Sequence, residues 1–504
     1  MNAEPTPTTA PPSRRGLFLL ALGLLAAGLA VALVALLYRP GYVVLVDMNE
    51  AEADWFRARV DAFAEQHRVK LTVVAFASPD ELGRQLEGER LARQKRILLV
   101  QAPQEMLVPL VDEGLMLPLT DLGGKGRIRE ISARFLPEAV SAGQPGGNPY
   151  YLPATVTTTL LFYSKKRVAE AVEGWESVRP TVDGWLREAN GNGLPRNYVL
   201  EADPMLWDSY DVAVVAAFWA TREFEGLRTP RLAHSAARNA GTAMDLASRV
   251  FAFGGSNEQL LSLDGHGLWD AFAWESFFFE HGLYHPSMRR ESWDANDLLA
   301  AIAQGQIYLC TLTEPDVYRL HGTGAPGMEG FLKEPGDLGV ARLPRGLSLA
   351  QDQKQGSRTG GSFSARSGTW WGVPRTAPDA PLALALAEHV TSPELQTDWC
   401  RAFGYLPPLR DLVADLDVVF REDWAFQIAR TAKSQALELG RALPSSPRWR
   451  RAQPVLIAAW DEACAERHLT EPLDLVSVLE RHAGTIESVA GTPPPATSPA
   501  ATGR

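Results

Sequence analysis

Strands and helices alternate three times between residues 42 and 113, and this alternation constrains the fold more than any other feature. Apolar β-branched runs predict the strands, and amphipathic segments predict the helices. In chain order the predicted elements are 42–46, 54–67, 69–76, 79–93, 96–100 and 103–113. Strands joined by single helices run parallel, so the sequence predicts βαβ units in one open sheet. Ligands of such sheets bind beyond the carboxyl ends of the strands, here near residues 47–50 and 101–103.

A second constraint is the stretch YYLPATVTTTLLFYSKK at residues 150–166. Pro153 restricts the residue before it to extended geometry, and the apolar run 156–163 is typical of a buried strand. Thr155 and Thr157 place polar side chains in this extended segment. We interpret the stretch as a hinge at which the chain crosses into a second lobe.

The chain beyond this stretch is mostly helical and rich in aromatic residues. The remaining predictions are strands at 307–311, 339–343 and 369–373, a long polar loop at 346–368, and helices at 381–390 and, after a break at 404–408, up to about residue 488. Core packing is the expected role of most aromatic side chains. The turn DPMLWD, residues 203–208, is the exception, because it sets an aromatic residue among carboxylates at the start of a helix.

An uncharged run of 21 residues, 17–37, precedes the first strand. As a helix it would be about 32 Å long, enough for a hydrocarbon core of roughly 30 Å. A cleavable signal peptide is the alternative, but its apolar region is usually shorter, about 7–15 residues. Two arginines before the run and one after it favour a cytoplasmic N-terminus. Segments 1–16 and 491–504, at the two ends of the sequence, have the composition of disordered tails.

Composition and motifs speak against several functions. The net charge of -11 and the lack of basic runs argue against nucleic-acid binding. The three cysteines are far apart, which indicates neither a disulfide framework nor a zinc site. A GxGxxG match at 322–327 lacks the strand-to-helix context of dinucleotide binding, and His281 and His285 lack a HExxH arrangement. We therefore expect no cofactor, no metal and no enzymatic activity.

Five segments resemble bacterial extracellular solute-binding proteins of the maltose-binding type, family 1. They share the order and spacing of that family's strand–helix units, crossovers and Pro-led turns. The segments are 96–119, 150–166, 301–311, 336–344 and 369–411.

The resemblance implies a two-lobed, periplasmic-binding-protein-like α/β fold (type II) with three interlobe crossovers. The run 17–37 adds one transmembrane helix before this fold, which departs from the lipid anchor or free release of many family members. It places the first lobe at 42–152 and 345–403 and the second at 154–338 and 408–488. It also implies a small-molecule solute in the cleft and ABC permease subunits as partners. The ligand-facing positions it suggests are Asp47, Asn49, Glu50, Gln101, Thr157, Trp207, Asp208, Thr311, Thr313, Glu314 and Trp370.

Several alternatives stay open at this point. A sugar is favoured as the solute, and a peptide, a polyamine or an anion is the alternative. The same lobes could serve as a ligand sensor for a signalling partner, since a receptor anchored through residues 17–37 need not diffuse. An anchored hydrolase would need a carboxylate pair such as Asp203 and Asp208 facing the cleft. In each case the protein is expected in the cell membrane, with its binding lobes on the periplasmic or extracellular side.

Overall fold

The computed structural model describes residues 39–93, 95–223, 228–323, 328, 330–352, 356–464 and 472–491. Its strands are β1 (Gly41–Val46), β2 (Lys70–Ala75), β3 (Ile97–Pro103), β4 (Tyr151–Ser164), β5 (Leu232–Ala233), β6 (Leu309–Thr313), β7 (Leu338–Ala341), β8 (Leu347–Asp352), β9 (Gly356–Thr359), β10 (Ser364–Gly372) and β11 (Gly440–Ala442).

The α-helices are α1 (Glu50–Gln66), α2 (Pro79–Ala92), α3 (Leu107–Asp112), α4 (Leu119–Ser132), α5 (Pro137–Ala142), α6 (Lys165–Gly174), α7 (Arg179–Asn190), α8 (Ser209–Thr221), α9 (Ala240–Ala252), α10 (Asn257–Ser262), α11 (His266–Glu280), α12 (Pro286–Arg290), α13 (Ala295–Ala303), α14 (Glu314–His321), α15 (Ala380–Val390), α16 (Pro393–Phe403), α17 (Arg410–Ala414), α18 (Leu416–Val419), α19 (Asp423–Lys433), α20 (Pro447–Ala463) and α21 (Pro472–Gly491).

The predicted tail 1–16 and the predicted membrane span 17–37 lie outside the described residues. The predicted tail 491–504 does so too, apart from Gly491, which ends α21. Among the helices that are described, none combines the length and the apolar character that a membrane crossing requires.

The sheet runs in the order β2-β1-β3-β10-β4-β6-β5. Strands β2, β1 and β3 are parallel, which confirms the predicted βαβ units. The long strand β4 links the two lobes: its first half pairs with β10, and its second half pairs with β6 and β7. Pro153 lies where the register between β4 and β10 shifts, a position that tolerates the missing N–H of proline.

Strand β3 and the second half of β1 are buried on both faces, as expected of parallel strands covered by helices, whereas the edge strand β2 is exposed at alternate positions. Val44 and Val46 pack into the larger hydrophobic core, whereas Leu45 belongs to a second cluster on the opposite face. On β10, Trp371 packs into the larger core and Trp370 into the second cluster, and both are buried. The two neighbouring tryptophans therefore point to opposite faces of the sheet, as side chains that follow each other along a strand do.

The polar stretch 346–368 differs from the predicted long loop. It contains the antiparallel hairpin of β8 and β9 and the first part of β10. The hairpin packs on second-lobe helices: Trp274 Nε1 donates to the Leu347 carbonyl at 2.7 Å, and Ser348 Oγ donates to Asp270 at 2.6 Å. Pairing with the first lobe begins only at Thr369. That the chain returns to the first lobe at residue 345 stays a prediction. The hairpin itself makes its contacts with the second lobe.

Candidate functional site

A chain of hydrogen bonds joins the carboxyl ends of β1 and β3 to the crossover strands. The Asp47 backbone N–H donates to Gln101 Oε1 at 3.0 Å. Gln101 Nε2 donates to Thr369 Oγ1 at 2.8 Å, and this hydroxyl lies 2.9 Å from Thr155 Oγ1 on β4. Gln101 is only 1% exposed, so its amide positions the loop after β1 and ties it to the hinge.

Two carboxyl groups lie near each other beyond these strand ends. Asp47 follows β1, Glu105 follows β3, and both residues stay partly exposed. Burial, with a smaller contribution from the Glu105 charge, raises the pKa of Asp47 to about 7. Burial also raises the pKa of Glu105. Near neutral pH the Asp47 carboxyl therefore exists in both protonation states and can accept or donate a hydrogen bond.

A third first-lobe carboxyl, that of Glu52, is buried within helix α1. It accepts hydrogen bonds from Trp399 Nε1 at 2.6 Å and from the Tyr405 hydroxyl at 3.2 Å. Burial raises the pKa of Glu52 to about 8, although both hydrogen bonds act in the opposite direction. Glu52 therefore fixes the position of Tyr405, which lies in the segment predicted as the third crossover.

The second lobe contributes two carboxyl groups at the end of β6. Glu314 is fully buried, and its Oε2 accepts from the backbone N–H of Thr158 in the hinge at 3.0 Å. Its Oε1 has no hydrogen-bond partner among the described residues, and burial raises its pKa to about 8. Asp316 accepts from Thr313 Oγ1 at 2.6 Å, and burial raises its pKa as well.

Tyr405 marks the place where the two lobes meet. Its neighbour Leu406 forms a bridge with Val156 in the middle of β4. The Tyr405 hydroxyl is influenced by the charges of Glu52 and Asp47 from the first lobe and of Asp316 from the second. We refer to these four residues together with Glu105 as the lobe junction. Its carboxyl groups can both donate to and accept from the hydroxyl groups of a small polar molecule.

Comparison with known proteins identifies the family. Residues 58–428 match the model of the bacterial extracellular solute-binding proteins, which is well over half of the chain. The chain belongs to this family. No curated relative matches it.

Solved structures share the fold at low sequence identity. The GacH receptor of Streptomyces glaucescens is 14% identical with a TM-score of 0.65, covering 89% of this chain and 98% of its own. The sugar-binding protein MalE of Xanthomonas citri is 17% identical with a TM-score of 0.61, covering 90% and 100%. A solute-binding protein of Agrobacterium radiobacter K84, solved with ribitol, is 15% identical with a TM-score of 0.62, covering 89% and 99%. These likenesses support the two-lobed fold.

Two of the predicted ligand-facing residues are core tryptophans in this solute-binding protein. Trp207 is 1% exposed and donates from Nε1 to the Glu201 carbonyl at 2.7 Å. Trp370 is 2% exposed and donates from Nε1 to the Ala139 carbonyl at 2.8 Å. Neither ring is open to a solute here, because each fills a hydrophobic cluster and has its polar atom satisfied by a backbone carbonyl.

Several of the predicted ligand-facing polar residues cap helices. Asn49 Oδ1 accepts from the Glu52 backbone at 3.0 Å and starts α1, whereas Glu50 is exposed in its first turn. Asp208 forms a capping box with Asp211 at the start of α8. These contacts satisfy free backbone N–H groups, which is the usual role of such residues at helix starts.

The remaining predicted positions lie near the hinge or within the second lobe. Thr157 is half-buried on β4 opposite Ser367 of β10, and Thr313 caps α14. Thr311 lines a cavity inside the second lobe. Asp203, the other residue of the possible hydrolase pair, caps a short turn by accepting from the Met205 backbone at 2.9 Å.

Glu105, Asp316 and Tyr405 were missed as site residues by reasoning from sequence. Each follows a recognisable signal: Glu105 comes two residues after the proline that ends β3, and Asp316 comes three residues after β6. Tyr405 belongs to the Gly-Tyr-Leu-Pro break. Glu105 and Asp316 could have been found by extending each list of strand-end residues by a few positions, and Tyr405 by including the Gly-Tyr-Leu-Pro break.

A segment near the C-terminus also connects the two lobes. Gln104 Nε2 of the first lobe donates to the Leu443 carbonyl at 2.7 Å, and Asn257 Nδ2 of the second donates to the Ala442 carbonyl at 3.0 Å. Nearby, Arg450 of α20 forms an ion pair with Asp80 at the start of α2. Separation of the lobes would break the Asp80–Arg450 pair, since its members lie on helices of different lobes.

Proposed function

We propose that this protein is a membrane-anchored receptor that captures a sugar or small polyol at the lobe junction and delivers it to an ABC importer. The observation that carries the proposal is the position of Tyr405: its hydroxyl donates to Glu52 of the first lobe at 3.2 Å, and it lies within electrostatic range of Asp47 and Asp316, one from each lobe. Groups that bind one solute from two sides favour closure of the lobes around it. Unpaired buried polar groups cost about 1–3 kcal/mol each, so a solute with matching hydroxyl groups gains affinity and specificity.

The ligands bound in similar solved structures support a sugar or polyol. The GacH receptor was solved with acarbose, and the Agrobacterium radiobacter protein was solved with ribitol. The junction differs from a stacking site in that Trp207 and Trp370 are buried. Recognition is therefore proposed to rest on hydrogen bonds to hydroxyl groups, with the half-buried Tyr405 ring as the available aromatic surface.

A solute screen on residues 39–491 tests the proposal. Monosaccharides, linear polyols and maltooligosaccharides are compared with spermidine and short peptides by thermal shift. A true solute at 100 times its Kd should add about 2.7 kcal/mol to the free energy of unfolding. Small-angle scattering should then show a smaller radius of gyration with that solute.

Asp47→Ala should weaken binding of that solute by about 10–100-fold, because a hydrogen bond to a charged group contributes about 1.5–3 kcal/mol. Asp54→Ala is the matched control, since Asp54 is exposed on α1, and its Kd should stay within about twofold of the parent value. Stabilisation by spermidine or peptides alone, or equal losses in both variants, would contradict the proposal.

The anchor is tested separately on the full chain. The full-length protein is expected to stay in the membrane pellet after an alkaline carbonate wash, because residues 17–37 are long enough to span the bilayer. Deletion of 17–37 should move it to the supernatant. A mature N-terminus beyond residue 37, read by Edman sequencing, would instead identify a cleaved signal peptide.

A further inference from the structure

One edge of the first-lobe sheet carries many basic side chains. The amino ends of the parallel strands β1, β2 and β3 meet there: the Lys70 backbone N–H donates to the Pro40 carbonyl at 2.9 Å, and the Val43 N–H donates to the Arg96 carbonyl at 2.8 Å. Neighbouring strands lie about 4.8 Å apart, so residues that lead into them share one face. Six of these residues are exposed and basic, and we call them the basic edge: Arg39, Arg68, Lys70, Arg93, Lys95 and Arg96.

Few acidic groups offset this charge. Glu65 lies exposed in the last turn of α1, whereas Glu89 is buried and accepts from the Arg96 backbone N–H at 3.1 Å. As far as the structure describes the chain, Arg96 is the one member of the basic edge with a carboxylate within 4.0 Å. Arg90, one turn earlier, is left out of the set because Glu87 pairs with it at 2.6 Å. The chain as a whole has a net charge of -11, so a positive face indicates an anionic partner.

The course of the chain brings this edge to the membrane. Only Tyr38, Arg39 and Pro40 stand between the run 17–37 and the start of β1. Four residue steps from Leu37 to Gly41 reach at most about 14 Å, and the headgroup layer extends about 5–8 Å beyond the hydrocarbon core. With 17–37 as the anchor of the proposed function, on which this inference rests, the amino end of β1 lies in or just above the headgroups.

An exposed apolar side chain lies next to these charges. Leu91 is 73% exposed, more than any other large apolar side chain in the part of the chain that the structure describes. It belongs to the last turn of α2, two residues before Arg93. Basic side chains beside an exposed leucine are typical of surfaces that bind at the membrane interface, where cations contact phosphates and the apolar group enters the acyl boundary.

We propose that the basic edge lies on the headgroups of anionic phospholipids, with Leu91 inserted among them. This contact holds β1, six residues long, upright on the membrane. The lobe junction at the other end of the strand then stands about 20 Å from the headgroups. Solute reaches the junction from the aqueous side, and delivery to an importer in the same membrane requires the lobes to tilt off the lipid.

The contact is tested on the full-length chain in nanodiscs that contain headgroup-spin-labelled lipid. All three cysteines are buried, so a cysteine introduced at the exposed Thr72 of β2 can be labelled selectively with a fluorophore. Its quenching should be at least about threefold stronger with about 30% phosphatidylglycerol than with phosphatidylcholine alone. About 0.5 M NaCl should remove the gain by screening the charges. The same label at Glu50, on the far side of the sheet, should be quenched weakly in both lipids.

Charge-reversal variants locate the contact. Lys70→Glu combined with Lys95→Glu should abolish the gain in quenching with phosphatidylglycerol. Lys166→Glu combined with Arg196→Glu makes the same change of charge at exposed second-lobe positions and should keep the gain. Exposed substitutions of this kind rarely disturb folding, and matching thermal unfolding curves check it. Equal quenching of the parent in both lipids, or an undiminished gain in the Lys70 and Lys95 variant, would overturn the proposal.

The alkaline carbonate wash separates this inference from the proposed anchor. The parent and the Lys70 and Lys95 variant should both stay in the membrane pellet, because the anchor alone retains them. A parent that stays in the pellet without any lipid dependence of quenching refutes the headgroup contact and leaves the anchor standing. A mature N-terminus beyond residue 37 refutes the anchor and the headgroup contact together.

Discussion

Replacing Glu275 with alanine is expected to lower the free energy of unfolding by about 3–5 kcal/mol, the range for removing one partner of a buried ion pair. Glu275 is 1% exposed. Its two oxygens contact Arg249 Nη1 at 3.0 Å, His234 Nε2 at 3.1 Å, the Tyr284 hydroxyl at 2.8 Å and Trp460 Nε1 at 3.0 Å. Removing the carboxylate leaves four buried polar groups without this partner, and one of them is the Arg249 cation.

The pH dependence gives this prediction a second readout. The nearby Arg249 and His234 outweigh the effect of burial and lower the pKa of Glu275 to about 2. A carboxyl with a lowered folded-state pKa stabilises the fold above its unfolded pKa of about 4.3, and the stabilisation disappears as the pH falls through the folded value. The parent protein should therefore lose this stability between about pH 4.3 and pH 2, whereas Glu275→Ala should lack that loss.

Urea unfolding followed by tryptophan fluorescence measures both effects. Glu258→Ala is the control, because Glu258 is exposed on the neighbouring helix α10, and it should change stability by less than about 0.5 kcal/mol. The free energy of unfolding of Glu275→Gln should lie between those of Glu275→Ala and Glu258→Ala. Glutamine keeps one acceptor but removes the negative charge that faces Arg249. A loss below about 1 kcal/mol in Glu275→Ala would mean that the network does not stabilise the second lobe.

Raising the pH from 5 to 8 is expected to lower the free energy of unfolding. Glu52→Gln should remove about 2–4 kcal/mol of this decrease, because each unit of pKa shift corresponds to about 1.4 kcal/mol. Burial raises the pKa values of Asp47, Glu52 and Glu314 to about 7, 8 and 8. The folded state then binds more protons than the unfolded state between about pH 4 and 8, so stability falls as the pH rises through this window.

Glu52→Gln isolates the effect, because glutamine keeps an acceptor for Trp399 Nε1 and Tyr405 without any charge. At pH 5 the variant and the parent should be about equally stable, and at pH 8 the variant should be the more stable one. Glu50→Gln, at an exposed position of the same helix, should follow the parent curve. The free energy of unfolding of the parent could instead rise steadily from pH 5 to 8, with the Glu52→Gln curve parallel to it. That result would contradict the idea that Glu52 is protonated in the folded state.

Much of the fold was predictable from sequence because its signals are local. Apolar runs located β1, β2 and β3, and the Ser78 cap with Pro79 located the start of α2. The long strand β4 was recognised from its run of β-branched residues, although it begins at Tyr151, earlier than predicted. The hairpin of β8 and β9 was missed because its residues are polar and its strands pair mainly with each other.

The sequence by itself determined the order of strands and helices and the strand ends near which polar groups gather, since the spacing of apolar residues encodes both. Only the tertiary structure decided which of those groups meet. Trp207 and Trp370 became core residues, whereas Glu105, Asp316 and Tyr405 converge with Asp47 across the lobes. The physical reason is that whether a side chain faces the core or a cleft depends on which distant segment packs against it. Asp47 and Tyr405 are 358 residues apart in a 504-residue chain, and no local pattern reports that the charge of one acts on the other.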